Sequence, residues 1–266
     1  MIILSLKNLD FGEFIDFSIK RRFGIITFNR ENRANALTID MLRNIKKAVK
    51  YCQTDKKVRG LILTGKGNSF TSGLDLEDID GSDHQAVKNV EKTAGEITAL
   101  LWYGKPVICA INGKAMGDGV IYTLASDYRI AVKESFFQMP EVNYGIFPGT
   151  GCVTLMPRII GIAWTRKMLM FAEKISSEKA LEICLIDQIV ENQDELMKNA
   201  MKKAKFLFPK NQTVINTIKL CCNNLIDKSF TKAYELEKIG SGWYEHEDKE
   251  KFIEDFTKIF KEDRRN

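Results

Sequence analysis

The sequence predicts an α/β protein with a helical C-terminal region, and three patterns predict it. Apolar runs of strand type alternate with segments of helical periodicity over most of the chain. Loops containing glycine or asparagine separate these runs. From about Gln193 onward the chain becomes rich in lysine and glutamate, keeps a helical period and has few strand signals.

Residues 14–19 and 23–28 read as two strands joined by Lys20-Arg21-Arg22. Thr38 then caps a helix whose apolar residues Met41, Leu42, Ile45, Val49 and Cys52 fall on one face. Residues 60–64 form a short buried strand, followed by a glycine-spaced loop from Gly65 to Gly73. A second amphipathic helix carries Val87, Val90, Ala94, Ile97 and Leu101. Residues 106–111 are the next buried strand, with Asn112-Gly113 as its exit. A helix starts near Gly117 and runs toward Ala125, residues 127–132 return as a strand, and from about Gly149 the reading is predominantly helical. The C-terminal helices carry aromatic faces between Phe206 and Phe260, so they are expected to dock on the core or on another subunit.

With 266 residues the chain is long enough for one large core, or a core with a smaller appendage. Its first residues are apolar, but Lys7 interrupts them short of a signal-peptide core, and no stretch is long enough to span a membrane. A cytoplasmic protein is expected. The six cysteines lack C-x-x-C spacing, which disfavours a zinc site and fits small buried hydrophobes in a reducing compartment. The net charge of +5 is mild, and its lysines are interleaved with acids, which gives little support to nucleic-acid binding.

Several chemistries are disfavoured by what is missing. His84 and His246 sit in polar settings, and there is no G-x-S-x-G elbow, no phosphate-binding loop, no complete dinucleotide fingerprint and no metal-ligand spacing. What remains is two strand-to-helix loops, one from Phe70 to Leu76 and one from Asn112 to Gly119. Glycines there allow close ligand approach, and amides at a helix start favour negative charge. Two such loops face to face would make an oxyanion hole; taken singly, each is also an ordinary turn. A third segment, residues 136–149, sets one carboxylate, Glu141, among aromatic and apolar neighbours. That setting raises a carboxyl pKa and suits a proton carrier; the bland alternative is a surface glutamate beside a turn proline.

These segments, in this order, resemble the crotonase (enoyl-CoA hydratase/isomerase) family. The matching pieces are Asn35-Ala36-Leu37, the loop from Phe70 to Leu76, Lys105-Pro106-Val107-Ile108, the loop from Asn112 to Gly119, Ser126-Asp127-Tyr128-Arg129-Ile130, Met139-Pro140-Glu141 and Gly145-Ile146-Phe147-Pro148-Gly149. The resemblance runs from about Phe23 to Val190. It implies a crotonase spiral of strand-strand-helix (ββα) turns over residues 1–192, with residues 193–266 as a helical trimerisation region, often in dimers of trimers. It also implies an acyl-CoA thioester substrate, no separate cofactor and no metal. The thioester oxygen would rest between the backbone N–H groups of Leu74 and Asp118, with Glu141 as the proton carrier. Contacts to coenzyme A would come from Arg33, Ala34 and Ala36, from the loop containing Thr71, Gly73, Leu74, Asp75, Leu76 and Glu77, and from Gly117, Asp118 and Pro140.

Two positions depart from the family pattern. Hydratases of the family use two glutamates, and the first of these positions is Ile121 here. A lone Glu141 resembles the single-glutamate branch, the Δ3,Δ2-enoyl-CoA isomerases; enoyl-CoA hydratase and a non-catalytic coenzyme A-binding homologue remain the alternatives. Asp118 stands where the family usually has glycine. As a helix-start residue its side chain is expected to turn away and cap the following turn, with a catalytic role as the alternative. Tyr122 and Tyr144 are either acyl-pocket residues or core aromatics.

Overall fold

The structure, a computed structural model, describes residues 10–78, 83–226, 228 and 230–262. The apolar residues 1–6 lie outside the described residues. The chain opens with the antiparallel pair β1 (Ile15–Lys20) and β2 (Phe23–Phe28), followed by α1 (Ile39–Thr54). The Thr38 side chain accepts a hydrogen bond from Met41 N–H, a cap worth about 1 kcal/mol. Next come β3 (Gly60–Gly65), β4 (Ser69–Thr71) and α2 (His84–Tyr103), then β5 (Val107–Ile111), β6 (Lys114–Met116) and α3 (Asp118–Leu124). A further pair, β7 (Tyr128–Val132) and β8 (Phe136–Gln138), precedes α4 (Cys152–Ile159) and α5 (Gly161–Met170). The strand β9 (Ile175–Ser176), α6 (Ser177–Glu182) and β10 (Gln188–Val190) complete the strand-bearing part.

The chain thus repeats strand-strand-helix, and the repeat has a spatial meaning. There is a six-stranded sheet of order β1-β2-β3-β5-β7-β10 and a four-stranded sheet of order β4-β6-β8-β9. In the second to fourth turns the first strand joins the larger sheet and the second the smaller; β9 and β10, on either side of α6, complete the smaller and the larger sheet. Apart from the β1–β2 hairpin the large sheet is parallel. A parallel sheet of this kind needs cover on both faces, which explains why its strands are almost continuously apolar. Ile26, Phe28, Leu61, Leu63, Cys109 and Ile111 face the main core beneath α1, α2 and α3. Phe23, Ile25, Ile62, Ile108 and Ile130 face the other way.

That second face is closed by α7 (Gln193–Leu207), whose Leu196, Ala200 and Ala204 are buried against it. The first C-terminal helix is therefore part of the sheet's own cover. The helices α8 (Gln212–Leu225), α9 (Phe230–Ser241) and α10 (Lys249–Glu262) build a smaller cluster around Leu220, Leu236, Phe252, Phe256 and Phe260. Lys219 ties α8 to the core: its buried ammonium donates to Leu101 O at 2.7 Å and to the Asp127 carboxylate at 2.6 Å.

Five short strands depart from the sequence expectation. β4 and β6 lie inside segments read as loops, β8 lies in a segment given no element, and β9 and β10 lie in the part read as predominantly helical. Cys52, Cys109 and Cys152 are buried as expected, whereas Cys184 and Cys222 are exposed. Both histidines are exposed. Among the described residues no helix is long and apolar enough to cross a membrane, and no cluster of His, Cys, Asp and Glu has the makings of a metal site.

Candidate active site

The small sheet aligns three chain segments at the carboxyl ends of its strands. β6 pairs in parallel with β4 on one side and with β8 on the other. The residues that follow these strands, Ser72-Gly73-Leu74, Gly117-Asp118 and Met139-Pro140-Glu141, are thereby brought together. Carboxyl ends of parallel strands are the usual place for a ligand site in open α/β sheets.

The first loop is held from behind. Asn35 is fully buried in a left-handed conformation; its side chain accepts from Arg30 N–H and donates to Lys66 O and Ser69 O. The Thr71 hydroxyl donates to Asn35 O at 2.7 Å and accepts from Gly73 N–H at 3.1 Å. Leu37 and Leu74 then form a parallel bridge, with Leu37 N–H on Gly73 O and Asp75 N–H on Leu37 O. In an extended strand successive amides alternate sides, so the Leu74 N–H is turned away from that bridge. Gly73 adopts φ +88°, which glycine supplies at little steric cost.

The second loop ends at Gly117 (φ 51°, ψ −119°), which opens α3. Its carbonyl accepts from Val120 and Ile121 N–H. The N–H of Asp118, in the first turn of α3, has no carbonyl four residues back to bond within the helix. Among the described residues neither Leu74 N–H nor Asp118 N–H has a protein acceptor. The two loops touch: a methyl group on Gly73 would lie 3.4 Å from Gly117 Cα. The third segment closes on the same point, because a methyl group on Gly117 would lie 3.0 Å from Glu141 Oε1.

These segments line one cavity of about 290 Å³, shared by Gly73, Leu74, Leu76, Gly117, Asp118, Ile121, Pro140, Glu141 and Thr150. Leu76, Ile146 and Phe147 add exposed apolar surface to it. Burial pushes the Glu141 carboxyl up to about 7, and the neighbouring Asp118 charge pushes the same way. Its Oε2 is buried without a hydrogen-bond partner among the described residues. A carboxylate kept this free, beside two unengaged amides, is arranged to take and return a proton where negative charge develops on an oxygen.

A family model described as enoyl-CoA hydratase/isomerase matches residues 19–265. The chain belongs to the enoyl-CoA hydratase/isomerase (crotonase) family. Similar relatives include a putative enoyl-CoA hydratase/isomerase of Bacillus subtilis, 30% identical over 85% of this chain and 88% of its own. A crotonyl-CoA hydratase of Syntrophomonas wolfei is 30% identical over 84% and 86%, and a 1,2-epoxyphenylacetyl-CoA isomerase of Escherichia coli 29% identical over 85% and 88%. Among solved structures, an enoyl-CoA hydratase from Bacillus anthracis superposes with a TM-score of 0.83 at 25% identity, covering 93% of this chain and 97% of the other. DspI of Pseudomonas aeruginosa gives 0.84 at 25% identity, covering 96% and 97%. The crotonase fold expected from the motifs is the fold observed.

Not every residue expected at the site faces the cavity of this crotonase-family chain. Thr71 is fully buried with its hydroxyl engaged at both ends, and Asp75 is a buried partner of Arg30 at 2.5 Å. Both side chains hold the loop in place, so contacts from Thr71 and Asp75 to coenzyme A would be made through the backbone. Ala36 is buried and Ala34 half-buried. Arg33 is exposed and paired with Glu77, with Asp75 a further 3.7 Å contact.

The cap expected of the Asp118 side chain is corrected by the structure. Asp118 makes no side-chain cap on α3; its Oδ1 accepts from the Thr150 hydroxyl at 2.8 Å, and the side chain is buried and lines the cavity. Burial pushes this carboxyl up to about 6, against the Thr150 hydrogen bond. Tyr122 is a core aromatic, while Tyr144 is exposed and lines the cavity. Thr150 was invisible to sequence reasoning, because only the fold brings it to Asp118.

Proposed function

We propose that this chain is a Δ3,Δ2-enoyl-CoA isomerase, in which Glu141 moves a proton from C2 to the C4 side of a 3-enoyl thioester. The observation that carries this reading is Glu141 itself: a raised, largely buried carboxyl group with one unpartnered oxygen, set against Gly117 between two loops with unengaged amides. The Leu74 and Asp118 N–H groups take the thioester oxygen, which becomes an oxyanion when the C2 proton leaves. Each such donor is worth about 3 kcal/mol to the transition state. Ile121, apolar and buried, occupies the position where hydratases of the family carry a second glutamate, and it cannot orient water.

On this reading coenzyme A lies along Arg33, the Ala34 and Ala36 backbone, and Leu76 and Glu77. Arg33 exchanges its acidic partners for a phosphate when the ligand arrives. The chain assembles as a homotrimer, or a hexamer of two trimers, through the region after Gln193.

A hydratase is the second reading, and one observation favours it: Asp118 brings another carboxyl group into the cavity beside Glu141. Hydration of a 2-enoyl thioester needs two groups to position water and supply the α-proton. The relatives named as hydratases are consistent with it.

Three assays on one preparation separate the readings: 3-enoyl-CoA conversion to 2-enoyl-CoA, exchange of C2 protons in D2O, and crotonyl-CoA hydration. The isomerase converts and exchanges, and Glu141→Gln lowers both by about 10² to 10⁴-fold. Hydration of crotonyl-CoA faster than isomerisation replaces this reading with the second. Coenzyme A binding without any of the three activities makes the chain a binding protein.

A further inference from the structure

Asp118 puts a carboxyl group where the family usually has none, and its surroundings are specific. It is 3% exposed, and its only hydrogen bond to a side chain among the described residues is the 2.8 Å contact from Thr150 Oγ1. No lysine or arginine among the described residues pairs with it. It lines the same cavity as Glu141, and the two charges are near enough to oppose one another.

Two buried carboxyl groups in one cavity do not readily ionise together; they hold one proton between them. An ionised Asp118 would also oppose an enolate whose oxygen rests on its own backbone N–H. The neutral form has the opposite effect, because a carboxylic acid there has a proton to give. Glu141 is raised further, to about 7, than Asp118, to about 6, so the single proton rests chiefly on Glu141. The reacting form is the minor one, in which Asp118 holds the proton and Glu141, with one oxygen free of partners, is the base.

Resting on the isomerase reading but replacing Glu141 in its second step, we propose that Asp118 is a second catalytic residue, the acid that protonates C4 after Glu141 has removed the proton from C2. Thr150 is its positioning residue, through the hydroxyl that fixes Oδ1. The step balances. The Glu141 carboxylate takes a C2 proton, and the C–H electron pair becomes part of a dienolate with its charge on the thioester oxygen. The dienolate then collapses: the carbonyl re-forms, the double bond moves to C2–C3, and the pair released from C3–C4 takes the proton of the Asp118 carboxyl at C4. Glu141 ends neutral and Asp118 ionised. One proton lost by Glu141 to solvent and one gained by Asp118 reset the pair.

The test is the ratio of C2 exchange to product formation from 3-enoyl-CoA in D2O, read by mass spectrometry of remaining substrate and product. Exchange needs only Glu141 and the two amides; product also needs delivery at C4. Asp118→Asn is expected to keep exchange and slow product formation, raising the ratio by about 10²-fold. Thr150→Val is expected to raise it in the same direction, and Thr150→Ser to restore it. The ratio is internal to the active molecules, so partial misfolding of a variant does not move it. An unchanged ratio in Asp118→Asn overturns the assignment and leaves the isomerase reading standing. Neither exchange nor product in the unaltered protein overturns both.

Discussion

Glu141 Oε1 sits against Gly117 at the start of α3, so close that a single methyl group on Gly117 would meet it at 3.0 Å. The candidate proton carrier and the residue preceding one amide of the candidate oxyanion hole thus approach one another where Gly117 has no side chain. This close approach, together with φ 51° and ψ −119° at Gly117, makes glycine a requirement there.

Gly117→Ala is therefore expected to lower kcat for 3-enoyl-CoA by about 10²-fold, with a smaller change in KM. The added methyl group displaces Glu141 and tilts the Asp118 N–H, both of which act on the transition state more than on bound substrate. Backbone strain of about 1–3 kcal/mol accompanies it. Steady-state kinetics and a denaturation curve on the same variant read the two effects separately; an unchanged kcat would contradict the placement of Glu141.

The pattern of what the sequence disclosed follows the length of its signals. α1, with Thr38 as its cap, and the apolar strands β2, β3, β5 and β7 were legible because each offers five or more residues of consistent pattern. The strands that build the site were not. β4, β6 and β8 are three residues each, too short to show a period, and only their pairing gives them meaning. Leu74, Asp118 and Glu141 are named by resemblance to a family; their residue types alone favour ordinary turns and a surface glutamate beside a turn proline. Asp118 was misjudged for a physical reason. Helix-start carboxylates commonly cap, but here a hydroxyl 32 residues away offers a buried partner that no local pattern reveals.

Ile121 tests how the cavity chooses between reactions. It is 2% exposed and lines the cavity one helical turn after Asp118. Ile121→Glu restores the second hydratase position, and hydration of crotonyl-CoA is expected to rise while the protein loses about 2–4 kcal/mol from the lost apolar burial and the buried acid. Absorbance of the conjugated thioester follows the first and thermal unfolding the second. A folded variant that binds coenzyme A yet hydrates no faster would remove Ile121 as the determinant.

The pH dependence follows from the pair. Glu141 is pushed up to about 7 and Asp118 up to about 6, and because they interact these ionisations belong to the two together. With both protonated there is no base; with both ionised there is no acid. Isomerisation is thus expected to peak between about 6 and about 7 and to fall on either side. The other titratable groups facing the pair are Tyr122 on α3, Cys152 on α4, and Tyr144 and the exposed Glu91 at the cavity wall. Tyr122 is raised well above its ordinary value and Cys152 to about 12, so both stay neutral through this range. Asp118→Asn is expected to abolish the alkaline limb and leave one acid limb set by Glu141 alone, below about 7 because the charge that helps raise it is gone. A profile unchanged by that substitution would detach the limb from Asp118.

The same burial that tunes Glu141 has a thermodynamic consequence. A carboxyl whose folded value is raised from 4.5 to about 7 binds its proton more tightly in the folded state than in the unfolded one. Stability therefore falls as pH rises from 4.5 toward about 7, the reverse of an ion-paired carboxylate. At 1.36 kcal/mol per pH unit, discounted for the part of the side chain that solvent reaches, the loss is about 2 kcal/mol. Glu141→Gln removes the ionisation and is expected to melt several degrees above the unaltered protein at pH 8. The gap should close as pH falls through the window between about 7 and 4.5, where the wild-type carboxyl takes up its proton. Thermal unfolding across that range decides the matter: a variant no more stable at pH 8 would mean that Glu141 is solvated, and a solvated Glu141 would have no reason to hold a proton near neutrality.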